Sequence, residues 1–217
     1  CAVQAIKKVV VVVNGQFAHE ERLLAILDSA DCVIAADGGA NWLAMHQRTP
    51  DRIVGDMDSV DPALLARLAE SGCHVVRFPA HKDETDAELA LAAAAALAPA
   101  EIVILGALGG RIDHTLGNLS LLSMPVLHGI AVSVFDGQSA LWLAAGRTAV
   151  HGHSGDVVSL IPWGGDACDI YTQGLAYPLQ GETLPFGPSR GISNVLVGSC
   201  ASISLGSGQL LIVHTPL

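Results

Sequence analysis

The chain has 217 residues, 51% of them hydrophobic, and a formal net charge of -10, from 11 Lys plus Arg against 21 Asp plus Glu. That composition supplies a sizeable core, and its acidity excludes a general affinity for nucleic-acid phosphates, which calls for the opposite sign. No apolar run reaches the roughly 18–20 residues of a membrane helix, and nothing reads as a secretory leader. The chain begins at Cys1 rather than Met, which suggests a trimmed N-terminus. Cys1, Cys32, Cys73, Cys168 and Cys200 lie far apart, with neither a CxxC nor a Cys/His metal spacing. They read as free thiols of a reducing cytoplasm.

Residues 1–136 alternate β-branched runs with helical stretches. In order these are VVVVVNG and AHEERLLAILDSA, CVIAAD and GGANWLAMHQ, RIVGD and DPALLARLAESG. HVVRFP and ETDAELALAAAAALA follow, then EIVILGA and DHTLGNLSLLS, and a last strand, AVSVFDG. Strands alternating with helices predict right-handed βαβ units and a mostly parallel, six-stranded α/β domain. From 137 to 217 helical periodicity stops. Short runs such as TAVHG, DVVSLIPW, ACDIYT, NVLVG and QLLIVHT are punctuated by Gly and Pro, which predicts an all-β sandwich or small barrel.

The acids cluster on this map. Asp37 follows CVIAA, Asp56 and Asp58 follow RIV, Asp83 and Asp86 follow VVRFP, and Asp113 follows EIVILGALGG. Each lies just beyond the carboxyl end of an expected parallel strand, where open α/β sheets bind ligands. Carboxylates gathered there would repel and raise one another's pKa, unless a divalent cation such as Mg²⁺ takes them as oxygen ligands together with substrate phosphates. Each acid alone also fits a plainer role. Asp37 can start a turn, the Asp56–Ser59 stretch can make a turn with Ser59 or Asp61 as a cap, and Asp83 or Asp86 can cap a helix. Capping does not, however, require Lys82 or two aspartates three apart on one helical face. Gly38-Gly39 and Gly109-Gly110 permit close backbone approach. Lys82 and Arg111 are the natural phosphate partners, and His114 is a base, a hydrogen-bond donor or a cap residue.

Read in order, ADGGAN, VGDMDSV, FPAHKDETDAELAL, LGALGGRIDHTLGNL and the late SRGISN resemble the thiamin pyrophosphokinase family over nearly the whole chain. The resemblance implies an α/β ATP-binding catalytic domain at 1–136 and a β-sandwich at 137–217 that binds thiamin and dimerises. It implies transfer of the pyrophosphoryl group of ATP to the thiamin hydroxyl, giving AMP and thiamin diphosphate, in a homodimer with sites at the subunit interface. It places Asp56, Asp58, Asp83 and Asp86 at the Mg²⁺ and triphosphate. Asp37, Gly38, Gly39, Lys82, Thr85, Arg111, His114 and Asn118 fall in its nucleotide motifs. Asp56, Asp58, Asp83, Arg111, Asp113 and His114 form the expected catalytic set, and Tyr177, Ser193 and Asn194 the expected thiamin set. The chain departs from the pattern at GLAYPL, where Ala176 replaces the family's usual Lys and Tyr177 supplies the aromatic ring.

Two rivals differ in class. Asp56 in DMDSV also fits the nucleophile motif of haloacid-dehalogenase-like phosphatases, which would form an aspartyl-phosphate. That motif ordinarily ends the first strand, whereas here it follows the third. A thiamin- or nucleotide-binding protein without catalysis would keep a β-domain site but has no reason to keep every acid.

Overall fold

The computed structural model describes residues 6–217, so the expectation for Cys1 lies outside the described residues. The chain divides into two compact units after Gly137.

The first unit carries six strands: β1 (Lys8–Val12), β2 (Cys32–Ala36), β3 (Arg52–Gly55), β4 (His74–Arg77), β5 (Glu101–Leu105) and β6 (Ala131–Phe135). They pair in parallel in the order β6-β5-β1-β2-β3-β4. The order reverses between β1 and β5, because the chain runs outward through β2, β3 and β4 and then returns to the other side of β1. Past their first residues, Lys8 and Glu101, the central strands are apolar: Val9 to Val12 and Ile102 to Leu105 are buried. This is the pattern of strands covered on both faces. The connecting helices are α1 (Glu20–Asp28), α2 (Gly39–Met45), α3 (Pro62–Glu70), α4 (Asp86–Ala95) and α5 (Ile112–Leu121). Two starts follow simple local rules. Asp61 caps α3 by accepting from Ala63 and Leu64, with Pro62 in the first turn. Thr85, and not an aspartate, caps α4, accepting from the Glu88 N–H at 3.2 Å. The alanine run of α4 lets that helix lie close on the sheet, with Ala87, Ala90, Leu91 and Ala94 buried.

The second unit is a two-sheet antiparallel structure. One sheet has the order β12-β9-β14-β7, from β7 (Ala140–Ala144), β9 (Val157–Pro162), β12 (Asn194–Val195) and β14 (Leu210–Thr215). The other has β11-β10-β13-β8, from β8 (Arg147–His151), β10 (Ala167–Gln173), β11 (Gln180–Leu184) and β13 (Cys200–Ser204). Alternation sets the core: along β13, Ala201 and Ile203 are buried while Cys200 and Ser202 are exposed. Val158, Leu160, Ile170, Leu184, Leu196, Ile203 and Ile212 pack into one apolar cluster. Cys32, Cys73, Cys168 and Cys200 are all free thiols, and among the described residues no helix is long and apolar enough to cross a membrane.

Candidate functional site

A cleft of about 410 Å³ opens in the first unit, lined by residues just beyond β1, β2, β5 and the approach to α4. Its chemistry begins with backbone geometry. Asp37 takes a left-handed conformation, φ 41°, directly after β2, and its N–H donates to the Val54 carbonyl at 2.9 Å. Met57 is also left-handed, φ 69°, and its side chain is buried in the core. The turn it pins is closed by the Asp58 N–H, which donates to Asp56 Oδ1 at 3.1 Å. Left-handed backbone at a non-glycine residue is strained and persists where its surroundings over-determine it. Here the two turns bring carboxylate oxygens of Asp37, Asp56 and Asp58 within 4.8 Å of one another.

Asp37 is 6% exposed, and its Oδ1 is buried with no hydrogen-bond partner. Burial pushes its pKa up; the Ser59 hydroxyl opposes this, and the charges of Asp86 and Asp58 add to it. An orphaned carboxylate oxygen inside a protein costs several times a lost neutral hydrogen bond. Hard oxygen donors, mutual repulsion and one unpartnered oxygen together fit a divalent cation such as Mg²⁺. Asn41 ties the two loops together. Its Nδ2 donates to the Ser59 carbonyl at 2.7 Å, and its Oδ1 accepts from the Asp61 N–H at 3.3 Å.

Lys82 stands beside this triad. Its Nζ lies 3.0 Å from Asp86 Oδ1 and 3.7 Å from Asp56 Oδ2, and it donates to the Pro79 carbonyl at 3.3 Å. Burial works against the ammonium charge, yet the two carboxylates outweigh it and its pKa is raised. At 3.0 Å the Lys82 ammonium is the ion partner of Asp86 Oδ1, which is otherwise buried. Gly55 makes room for it. A Cβ there would lie 3.0 Å from the Asp86 carboxylate and from Asp37 Cβ, and its φ of 149° excludes most side chains.

Across the cleft, Arg111 precedes α5 and chelates Asp113 through Nε at 3.1 Å and Nη2 at 2.5 Å. This pairing holds the Asp113 carboxyl at about 2, with the His114 N–H adding to the effect. Arg111, His114 and Asn118 line the cleft. Asn118 donates to the Ala107 carbonyl at 2.8 Å and so braces the β5–α5 loop. The Arg111 side chain is 72% exposed, and its planar guanidinium has the geometry to bind a phosphate as it binds Asp113. On the ATP-dependent activity that the sequence resemblance implies, Arg111→Lys is expected to raise the KM for ATP and lower kcat, together reducing kcat/KM ~10-fold or more, as loss of a bidentate clamp does. Steady-state kinetics with parental values for both would make Arg111 a surface residue.

The expected residues divide as follows. Asp37, Lys82, Thr85, Asp86, Arg111, His114 and Asn118 line the cleft, and Asp56 and Asp58 join Asp37 in the triad. Gly38 and Gly39 open α2, both buried behind Asp37. Asp83 is exposed and lies outside both the triad and the cleft lining, and Asp113 lies beside the lining as the partner of Arg111. Reasoning from motifs missed Asn14, Gly15, Gln16 and Ser59, which also line the cleft, and the loop-bridging Asn41. Asn41 closes the ADGGAN motif, so its signal was present. The NGQ stretch after β1 belongs to no phosphate-loop pattern.

In the second unit, a hollow of about 120 Å³ is lined by Tyr177, Arg190, Ile192 and Asn194 among others. Asn194 is 8% exposed, and its amide is largely engaged within the protein. Oδ1 accepts from the Tyr177 N–H at 3.0 Å and the Val195 N–H at 2.9 Å, and Nδ2 donates to the Tyr177 carbonyl at 2.7 Å. Asn194 therefore fixes the backbone that carries Tyr177, whose ring is 70% exposed. Ser193 is left-handed, φ 60°, and its N–H donates to Ser159 Oγ at 3.1 Å, leaving its side chain exposed.

A parallel sheet with a cation-flanked acidic cleft at its carboxyl edge has the chemistry of a phosphotransferase site. Comparison with known proteins narrows the class. Residues 23–134 match the family model for the thiamin pyrophosphokinase catalytic domain, and residues 148–210 match that for its vitamin B1 binding domain. The chain is 30% identical over 184 residues to the thiamine pyrophosphokinase of Bacillus subtilis, covering 84% of this chain and 86% of that protein. A crystal structure of the Bacillus subtilis enzyme superposes with a TM-score of 0.86 at 28% identity, covering 97% of this chain and 99% of that one. That of the Geobacillus thermodenitrificans enzyme gives 0.81 at 28% identity, covering 96% and 97%. The chain belongs to the thiamin pyrophosphokinase family.

Proposed function

We propose that the chain is an ATP-dependent thiamin diphosphokinase, requiring Mg²⁺ and working as a cytoplasmic homodimer. The thiamin hydroxyl oxygen attacks the β-phosphorus of ATP, the bond from that phosphorus to the oxygen bridging the α-phosphorus breaks, and AMP leaves with the electron pair. The hydroxyl proton passes to a cleft carboxylate or to His114. The observation that carries this reading is the triad Asp37, Asp56 and Asp58, with the orphaned oxygen of its buried member Asp37, beside Lys82. When bound there, Mg²⁺ spreads the negative charge of the triphosphate.

The chain's own residues supply the rest. Asp37, Asp56 and Asp58 hold the cation, with Asp86 close by, and Lys82 exchanges its carboxylate contacts for phosphate oxygens. Arg111 clamps the triphosphate from the opposite loop, and Thr85 and Asn118 fix the loops around it. Asp83, exposed at the approach to α4 between the lining residues Lys82 and Glu84, is an outer member of the acidic set. Positioning and charge stabilisation of this kind account for most of the rate in phosphoryl transfer. The acidic chain favours a cationic vitamin as the second substrate, since a thiazolium ring is drawn to negative potential. Tyr177, fixed through Asn194, offers that ring a stacking face, and Ser193 a hydroxyl. Incubation with ATP, Mg²⁺ and thiamin, followed by chromatography, tests the reading: AMP and thiamin diphosphate are expected to appear together and only with all three present.

The shared-site arrangement has its own test. Inactive Asp56→Asn chains mixed with inactive Asn194→Ala chains are expected to regain activity on subunit exchange, because one site per mixed dimer recovers both intact halves. Confirmed mixed dimers without recovery, or a monomer by light scattering at working concentration, would reject it.

A further inference from the structure

Asn14 and Gln16 follow β1, in the one loop whose cleft residues no motif explains. Their position is the point where the strand order reverses, between β1 and β5. Open α/β sheets bind ligands at such switch points. Both line the cleft, and neither carboxamide hydrogen-bonds to the protein among the described residues. Both are seated against backbone that lacks a side chain. A Cβ on Gly38 would come within 2.4 Å of Asn14 Nδ2, and one on Gly109 within 2.5 Å of Gln16 Oε1. The loop itself is anchored: the Gln16 N–H donates to the Leu108 carbonyl at 2.9 Å, and the Val13 N–H to that of Leu105 at 2.8 Å. Two free carboxamides thus project from a fixed loop into a cleft whose other polar groups suit phosphate and metal.

A carboxamide offers an N–H donor and a carbonyl acceptor side by side. It pairs in two-point fashion with an amino group next to a ring nitrogen, as Asn and Gln pair with adenine. We propose that Asn14 and Gln16 are specificity residues that read the amino-heterocycle edge of a substrate. This rests on the thiamin diphosphokinase reading, which supplies two such edges: the adenine of ATP and the aminopyrimidine of thiamin. The chemistry is shared, and the experiment separates the sources.

The probes are inosine triphosphate, in which a carbonyl replaces the adenine amino group, and the 4-oxo analogue of thiamin. The parent is expected to prefer the amino form of one substrate by ~10-fold or more in kcat/KM, as sites built to hydrogen-bond an N–H do. Asn14→Asp and Gln16→Glu keep the side-chain shape but lose the amide donor. In at least one of them that preference is expected to fall to within about twofold, the scale at which hydrogen-bond readout is lost, while preference at the other substrate stays parental. The ratio cancels any general loss from the added charge. Asn14→Ala and Gln16→Ala, with melting curves, serve if an acidic variant folds poorly. Calorimetric binding of ATP against inosine triphosphate, and of thiamin against its analogue, reads the same ratios without turnover. A failure of the kinase reading is thereby separated from a failure of the inference. A parent indifferent to both analogues, or variants that all retain its preference, overturns the proposal.

Discussion

Asp37→Asn, Asp56→Asn and Asp58→Asn are each expected to lower turnover by ~100-fold or more, the scale of losing a principal charge-stabilising group. The substitution preserves shape and removes one charge, so the fold is retained. For Asp37 the effect on stability has the opposite sign to that on activity. Burial raises its folded pKa above the ordinary carboxylate value. The charged form is therefore disfavoured by folding: the penalty is absent below the unfolded pKa, grows as pH rises towards the folded pKa, and is fully present above it. At neutral pH the metal-free Asp37→Asn protein is expected to melt at or above the parental temperature. Mg²⁺ should raise the melting temperature of the parent and leave that of Asp37→Asn unmoved. Asp83→Asn, exposed and outside the triad, is the control and should lose far less activity. Parental turnover and a parental Mg²⁺ response in the triad variants would remove the cation from this site.

Lys82→Met should be nearly as severe, with kcat/KM for ATP down ~100-fold, since a preorganised cation on a transferring phosphoryl group contributes on this scale. The side chain is only 11% exposed and holds two carboxylates. Its loss leaves Asp56 and Asp86 without the cation that both contact, and removing one partner of a largely desolvated ion pair costs more than the pair itself contributes. The melting temperature should fall as well, and Mg²⁺ should restore part of it by supplying the missing positive charge. Lys82→Met with parental kinetics and stability would reduce Lys82 to a solvated surface charge.

Much of this site was legible because its acids follow strands. β-branched runs marked the sheet, and parallel strands send their carboxyl ends to one edge, so Asp37, Asp56, Asp58 and Asp86 had to meet there. Which acids form the tightest group was not legible. Asp37 joins Asp56 and Asp58 because Asp37 and Met57 adopt left-handed backbone; Asp visits that region more often than most residues, but nothing in the sequence singles out Met57. Asp83 and Asp86 look equivalent in KDETD, but Thr85 is the cap, which sets Asp86 inside the helix against Gly55 and leaves Asp83 outside. Asn14 and Gln16 were invisible because a switch point exists only once strand order is known; alternation of strands and helices does not give order. Asn194 was legible as a motif residue, but its engagement with the Tyr177 backbone depends on a contact between residues 17 apart in sequence.

The most direct test of the central claim follows the β-phosphorus. With ATP radiolabelled at that atom, Mg²⁺ and thiamin, the label is expected to appear in thiamin diphosphate in step with unlabelled AMP, and no phosphoenzyme should form. Label in ADP, or a phosphoryl group trapped on Asp56, would contradict it.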